Sequence, residues 1–315
     1  MRRSFGQLSL ADGLVAGRSG ALDRIADLVD WGPLDALLNG VQSAPVGRPG
    51  YGPLVLLRCA LLQQWYGLSD PGLEEALNDR LSFRRFVGLS LSDPVPDHST
   101  VSRFRKALVE QDLGERLLRE VNRQLAAKGL MLKRGTLVDA SLVDANARRP
   151  RKGEPKEARS DRDAAWNAMP DDGPHYGYKA HVAVDEGSGL IRQAILTPAN
   201  VSDKTPAPQL IQGDEQAFYA DKGYDGWWLS AKLAERGIAD RVMRSNYRRR
   251  PLTREGKARN RAIATVRCQV ERTFAVMKQW YGYRRVRYRS LLRNSLQLQL
   301  ICAAMNLRRA LVLAH

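Results

Sequence analysis

Over roughly the first 130 residues, apolar positions recur at spacings of three and four, and the period then changes. "GALDRIADLVDW" and "GPLDALLNGV" each predict a short amphipathic helix, with Pro33 suited to a helix start. The turn-rich "SAPVGRPGYG" leads into "PLVLLRCALLQQWYGL", which is apolar nearly all round and predicts a buried helix. "DPGLEEALNDR" reads as another short helix. In "DPVPDHSTVSRFRKALVEQ", Ser99 or Thr100 is placed to cap a helix whose apolar face carries Val101, Phe104 and Leu108. His98, Arg103 and Lys106 lie off that face. A helix pair whose second member opens on Ser-Thr and basic residues suits a helix-turn-helix reader of DNA, and a plain helical bundle with exposed basic residues has the same pattern.

From residue 135 the pattern is that of strands. "GTLVDASLVDA" begins one, with Leu137 and Val138 leading into Asp139. Residues 145–174 are polar and rich in turn formers, and predict a long basic arm. "YGYKAHVAVDEGSGLIRQAILTPAN" alternates as two strands joined by Glu186-Gly187-Ser188-Gly189, a hairpin signal. A short helix in "VSDKTPAPQLIQG", a strand in "QAFYADKGY", a helix in "WWLSAKLAERG" closed by Gly237 and a strand in "ADRVMRS" follow. A long helix then carries Ile263, Val266, Val270, Phe274, Met277 and Tyr281 at helical spacing, and the C-terminal segment reads as one more amphipathic helix. This order predicts a helical domain over 1–130 and an α/β domain with one mixed sheet over 131–315.

Charge changes the picture more than composition does. The net charge is +16 and the pI about 10.1, which points to a polyanionic partner, most simply nucleic acid. From Arg241 to Arg293 there are seventeen Lys or Arg against only Glu255 and Glu271. No run of eighteen apolar residues occurs and the opening residues have no apolar signal segment, so a membrane or secreted protein is not expected. Cys59, Cys268 and Cys302 are widely spaced, which suits a reducing cytoplasm. With four histidines, of which His175 and His181 read as surface or structural, a zinc site has few ligands to draw on.

Functional groups in open α/β sheets gather beyond the carboxyl ends of strands. Asp139 is expected to close the first strand and Asp221 the strand after the first helix of this domain, with Gly223 turning the backbone away. Asp144 and Asp225 are their rivals. Glu271 on the long helix supplies a third carboxylate, and Arg267 and Lys278 share its face. Three carboxylates without histidine form the ligand set of Mg²⁺ or Mn²⁺, and two such ions can serve displacement at phosphorus.

"TLVDAS", "YGYKAHVAVD", "YADKGYDG" and "RCQVERTFAVMKQWYGYRRVRY" resemble the DDE transposases of bacterial insertion sequences, specifically insertion-sequence family five, and "PDHSTVSRFRKAL" resembles the end of that family's N-terminal helical domain. The resemblance implies a ribonuclease-H-like (retroviral-integrase-like) catalytic domain with Asp139, Asp221 and Glu271 as the metal triad. It also carries a signature in which Arg267, Glu271 and Lys278 match and Ala264 stands where a Tyr is expected. Expected DNA contacts are Arg267, Lys278, Lys179, Arg272, Arg284, Arg285, Arg103 and Arg105. Double-stranded DNA is the expected partner of a homodimer or higher oligomer acting at the bacterial nucleoid. A nuclease or resolvase without strand transfer and a non-catalytic DNA-binding regulator are the alternatives.

Overall fold

The computed structural model describes residues 20–41, 50–151, 153–167, 173–246 and 251–314. The opening residues 1–19, part of the turn-rich "SAPVGRPGYG", Lys152 in the basic arm and the basic stretch 247–250 lie outside the described residues. Two compact units emerge: one comprises the described residues up to Gln124 together with those from Gln299 onward, the other Leu125–Leu298.

Helices make up the first unit: α1 (Ala21–Leu28), α2 (Trp31–Leu37), α3 (Pro53–Tyr66), α4 (Asp70–Asp79), α5 (Leu81–Val87), α6 (His98–Glu110) and α7 (Leu113–Ala127), the last running past the boundary. As its near-continuous apolar run requires, α3 is buried almost all round, and it stops at Gly67, whose φ of 64° suits a residue without Cβ. The cap of α6 differs from expectation. Asp97 fills it, accepting from the Thr100 N–H at 2.6 Å, because a carboxylate one residue earlier reaches that donor. The two units are not contiguous in sequence. The final helix, α11 (Leu291–Leu313), leaves the sheet unit after Leu298, and its remainder completes the helical core. Trp65 Nε1 donates to the Ala304 carbonyl at 2.8 Å and Asn306 Nδ2 to Asn122 Oδ1 at 2.7 Å. By length and composition α11 could cross a membrane, but 72% of its apolar window is buried, as in a core helix.

The second unit has the predicted order plus one short strand: β1 (Thr136–Asp144), β2 (Ala165–Trp166), β3 (Tyr176–Asp185), β4 (Ile191–Pro198), α8 (Ala207–Leu210), β5 (Ala217–Ala220), α9 (Trp227–Glu235), β6 (Ala239–Val242) and α10 (Arg254–Trp280). The sheet runs β2-β3-β1-β5-β6, with β4 also on β3. β1 pairs antiparallel with β3, and the β1–β5 and β5–β6 pairs are parallel, so the sheet is mixed. The hairpin turn is as read: Gly187 takes φ +89° and the Ser188 hydroxyl donates to Asp185. The polar arm is tied down more than its composition suggests. Asp161, 1% exposed, accepts from the Tyr178 hydroxyl at 2.9 Å, and β2 pairs with the start of β3.

Candidate active site

Register and pleat place the acidic residues. β1 and β5 pair in parallel with Thr136 opposite Phe218 and Leu137 opposite Tyr219. Two residues further, Asp139 and Asp221 fall level, just where β5 ends at Ala220. Side chains alternate along a strand, and Val138, Phe218 and Ala220 enter the core that contains α8 and α9 residues. Asp139 therefore turns to the other face, where α10 packs. The expectation that Asp139 closes its strand is corrected: β1 continues five residues further because its antiparallel pairing with β3 outlasts its short pairing with β5.

Asp139 is partly buried. Its Oδ1 accepts the Ala140 N–H at 2.9 Å and lies 3.4 Å from Nη2 of Arg267. Burial pushes its carboxyl up to about 6; Arg267 and the Ala140 N–H pull the other way, and the charges of Asp221 and Glu271 add to the rise. Asp221 caps the 3-10 turn Lys222–Tyr224, accepting the Gly223 N–H at 2.9 Å. Gly223 does not take a positive φ; its lack of a side chain leaves room for Asp221, since a Cβ there would lie 3.0 Å from Asp221 Oδ1 and crowd that carboxylate. Glu271 sits four residues beyond Arg267 on α10 and is exposed. Among the described residues no three His, Cys, Asp or Glu already stand as a compact metal-ligand group. The chemistry of the donors still fits a hard cation, since all three are carboxylates whose charges meet at Asp139.

Both rival carboxylates are engaged elsewhere. Asp144 lies 3.1 Å from His175 Nδ1. Asp225 accepts Arg244 Nη1 at 3.0 Å and the Ser245 N–H at 2.9 Å.

The expected DNA contacts divide. Arg272, Arg284 and Arg285 are exposed, and the last two lie on a segment that bridges the end of β1 at Asp144. Arg103 is exposed as well, bonding the Ser99 and Thr100 hydroxyls. Lys278 is half-buried on α10. Three of these residues are turned inward in this structure. Arg105 is 8% exposed and grips both oxygens of Asp70, because it lies on the inner side of α6 beside Phe104. Lys179 is turned inward, to Asp203 Oδ1 at 2.8 Å and the Val201 carbonyl at 2.9 Å. Arg267 is 7% exposed and takes the inward position expected of Val266. Ala264, in place of the signature Tyr, is exposed.

Two residues near the site were not anticipated. Tyr224 is 1% exposed, and its hydroxyl has no hydrogen-bond partner among the described residues. Its pKa is raised well above the usual phenol value, first by burial and then by the charges of Asp203, Asp139 and Asp221. Asp203 was read as part of a helix, but the helix begins only at Ala207. The Tyr in "DKGYDG", apolar-spaced from Phe218 and Ala220, was the available signal.

A family model described as Transposase DDE domain matches residues 131–307. A second, described as Transposase domain, matches residues 11–107. Among solved structures, the piggyBac transposase in a synaptic complex with hairpin DNA is similar at 11% identity and a TM-score of 0.34, covering 74% of this chain and 52% of that one. The chain thus spans about half the length of that protein.

Proposed function

The chain belongs to the transposase DDE domain family, and from that premise we propose that it is an insertion-sequence transposase, of insertion-sequence family five, that cuts the ends of its element and joins the freed 3′-hydroxyl to target DNA. The observation that carries this reading is the level placement of Asp139 and Asp221 at the β1–β5 boundary, on the side where α10 brings Arg267 to Asp139. A ribonuclease-H-like arrangement fits the mixed sheet. Asp139, Asp221 and Glu271 would hold Mg²⁺, or Mn²⁺ in its place, as two ions. When bound these supply Lewis-acid stabilisation of the charge that develops at phosphorus. The chain's own residues bind and orient. Exposed Arg272, Arg284 and Arg285 offer guanidinium forks to double-stranded DNA backbone. Lys278, two turns beyond Glu271, offers a point charge to a phosphate near the scissile one. Arg103 extends the basic surface on the helical unit, which serves element-end binding. The active form is a homodimer or higher oligomer on DNA, in the bacterial cytoplasm at the nucleoid.

A band-shift and nicking assay on one labelled element end tests this. Asp139→Asn, Asp221→Asn and Glu271→Gln should each retain DNA binding and lose cleavage by about a thousandfold or more. Asp144→Asn and Asp225→Asn should keep cleavage. Cleavage surviving in the first three variants would sink the assignment.

A further inference from the structure

Two buried arginines of the helical unit, Arg84 and Arg105, are well supplied with acceptors. Arg84, 7% exposed, donates to the carbonyls of Leu77, Ser90, Leu91 and Asp93. Arg267 is equally buried and poorly matched. Its Nη2 lies 3.4 Å from Asp139, its Nη1 meets the Met243 sulfur at 3.8 Å, and its Nε has no hydrogen-bond partner among the described residues. A guanidinium has five N–H donors in a fixed fork, and leaving them unmet in a dry setting is costly. Such a cation persists where something else offsets the cost. Here that is the carboxylate of Asp139, 3.4 Å from its Nη2.

We propose that Arg267 is the resident counter-ion of Asp139, and that a divalent cation reaches this carboxylate only by displacing it. The inference rests on the metal reading above and extends it. Without DNA, the positive charge of Arg267 opposes the arriving cation and holds its affinity down. Once displaced, the guanidinium has left the one carboxylate it pairs with among the described residues and needs an anion, which a DNA phosphodiester supplies. Cation and DNA therefore favour each other through one side chain, and by linkage the effect is reciprocal. The resting site keeps Asp139 paired and its demand for metal low until the substrate arrives.

The test is Mn²⁺ titration of the DNA-free protein, followed by electron paramagnetic resonance at pH 8, where protons do not compete for Asp139. Arg267→Met and Arg267→Gln should bind Mn²⁺ about tenfold more tightly than wild type, because a like charge is gone. Arg267→Lys should stay within about threefold of wild type, since the charge remains. Unchanged or weaker binding in both neutral variants overturns the inference. A separate result, that Asp221→Asn leaves wild-type Mn²⁺ affinity intact, overturns the metal reading beneath it. Should the neutral variants fail to fold, the Arg267 Nε–H resonance of the wild type decides: Mg²⁺ should shift it, and an unmoved resonance refutes displacement.

Discussion

Arg105 in the helical unit and Arg267 in the sheet unit are both buried and both paired with an aspartate, yet their surroundings differ. Arg105 meets both oxygens of Asp70 and also Gln63 Oε1 at 3.0 Å. Elsewhere in that unit Asn122 bonds Asn306, and Arg58 lies over the Trp31 ring at 4.3 Å and donates Nη1 to the Phe86 carbonyl at 3.0 Å, with its Nε left unmet among the described residues. Around the sheet-unit site, by contrast, the Tyr224 hydroxyl, His181 Nδ1 and Arg267 Nε are buried without hydrogen-bond partners among the described residues. A fold tolerates unmet polar groups at about 1–3 kcal/mol each only where something else requires them. The helical unit has used its buried charge for structure. In the sheet unit, Tyr224 just past β5 and Arg267 on α10 are left with unmet polar groups near Asp139, a carboxylate expected to do chemistry.

The contrast can be broken by substitution. Arg105→Met should cost about 2–3 kcal/mol in urea unfolding, below the roughly 3–5 kcal/mol of a fully buried broken pair because Asp70 remains partly exposed. A loss below about 1 kcal/mol would erase the distinction drawn here. The next largest effect is one of pH. Burial lowers the His181 pKa to about 4, below its unfolded value, so the unfolded chain binds the extra proton first. Stability from this residue is complete above about pH 6.5 and is lost as pH falls toward 4. Between pH 6.5 and 5 the loss should reach about 2 kcal/mol, and His181→Gln should flatten that part of the stability profile. A profile equally steep in the variant would assign the acid sensitivity elsewhere. The smallest effect carries the opposite sign. Tyr224→Phe removes a hydroxyl with no partner, so in chelator its stability should be unchanged or up to about 1 kcal/mol higher than wild type. A clear destabilisation would mean that the hydroxyl is bonded in solution, and the sheet unit would then resemble the helical one.

Much of this could be read from the chain alone. Helical and strand periods, the hairpin at Gly187, the buried α3 and the long α10 all follow from spacing, because each is decided by neighbours a few residues apart. Asp139, Asp221 and Glu271 stood out for the same reason: each follows or flanks an apolar run on its own element. What spacing could not reveal was which basic residues face solvent. Arg103 and Arg105 are two residues apart, and one bonds surface hydroxyls while the other reaches Asp70, thirty-five positions earlier. Arg267 and Arg284 belong to the same basic segment, yet the first is drawn inward by Asp139 and the second is exposed, while Lys179 on β3 is drawn inward by Asp203. The return of α11 to the helical unit is a decision of the same kind. Periodicity is a local property that a sequence states outright. The partner of a charge is set by pairing across the fold, and electrostatic attraction leaves no fixed spacing behind it, so only the tertiary structure could decide which arginines face solvent and which already have an aspartate.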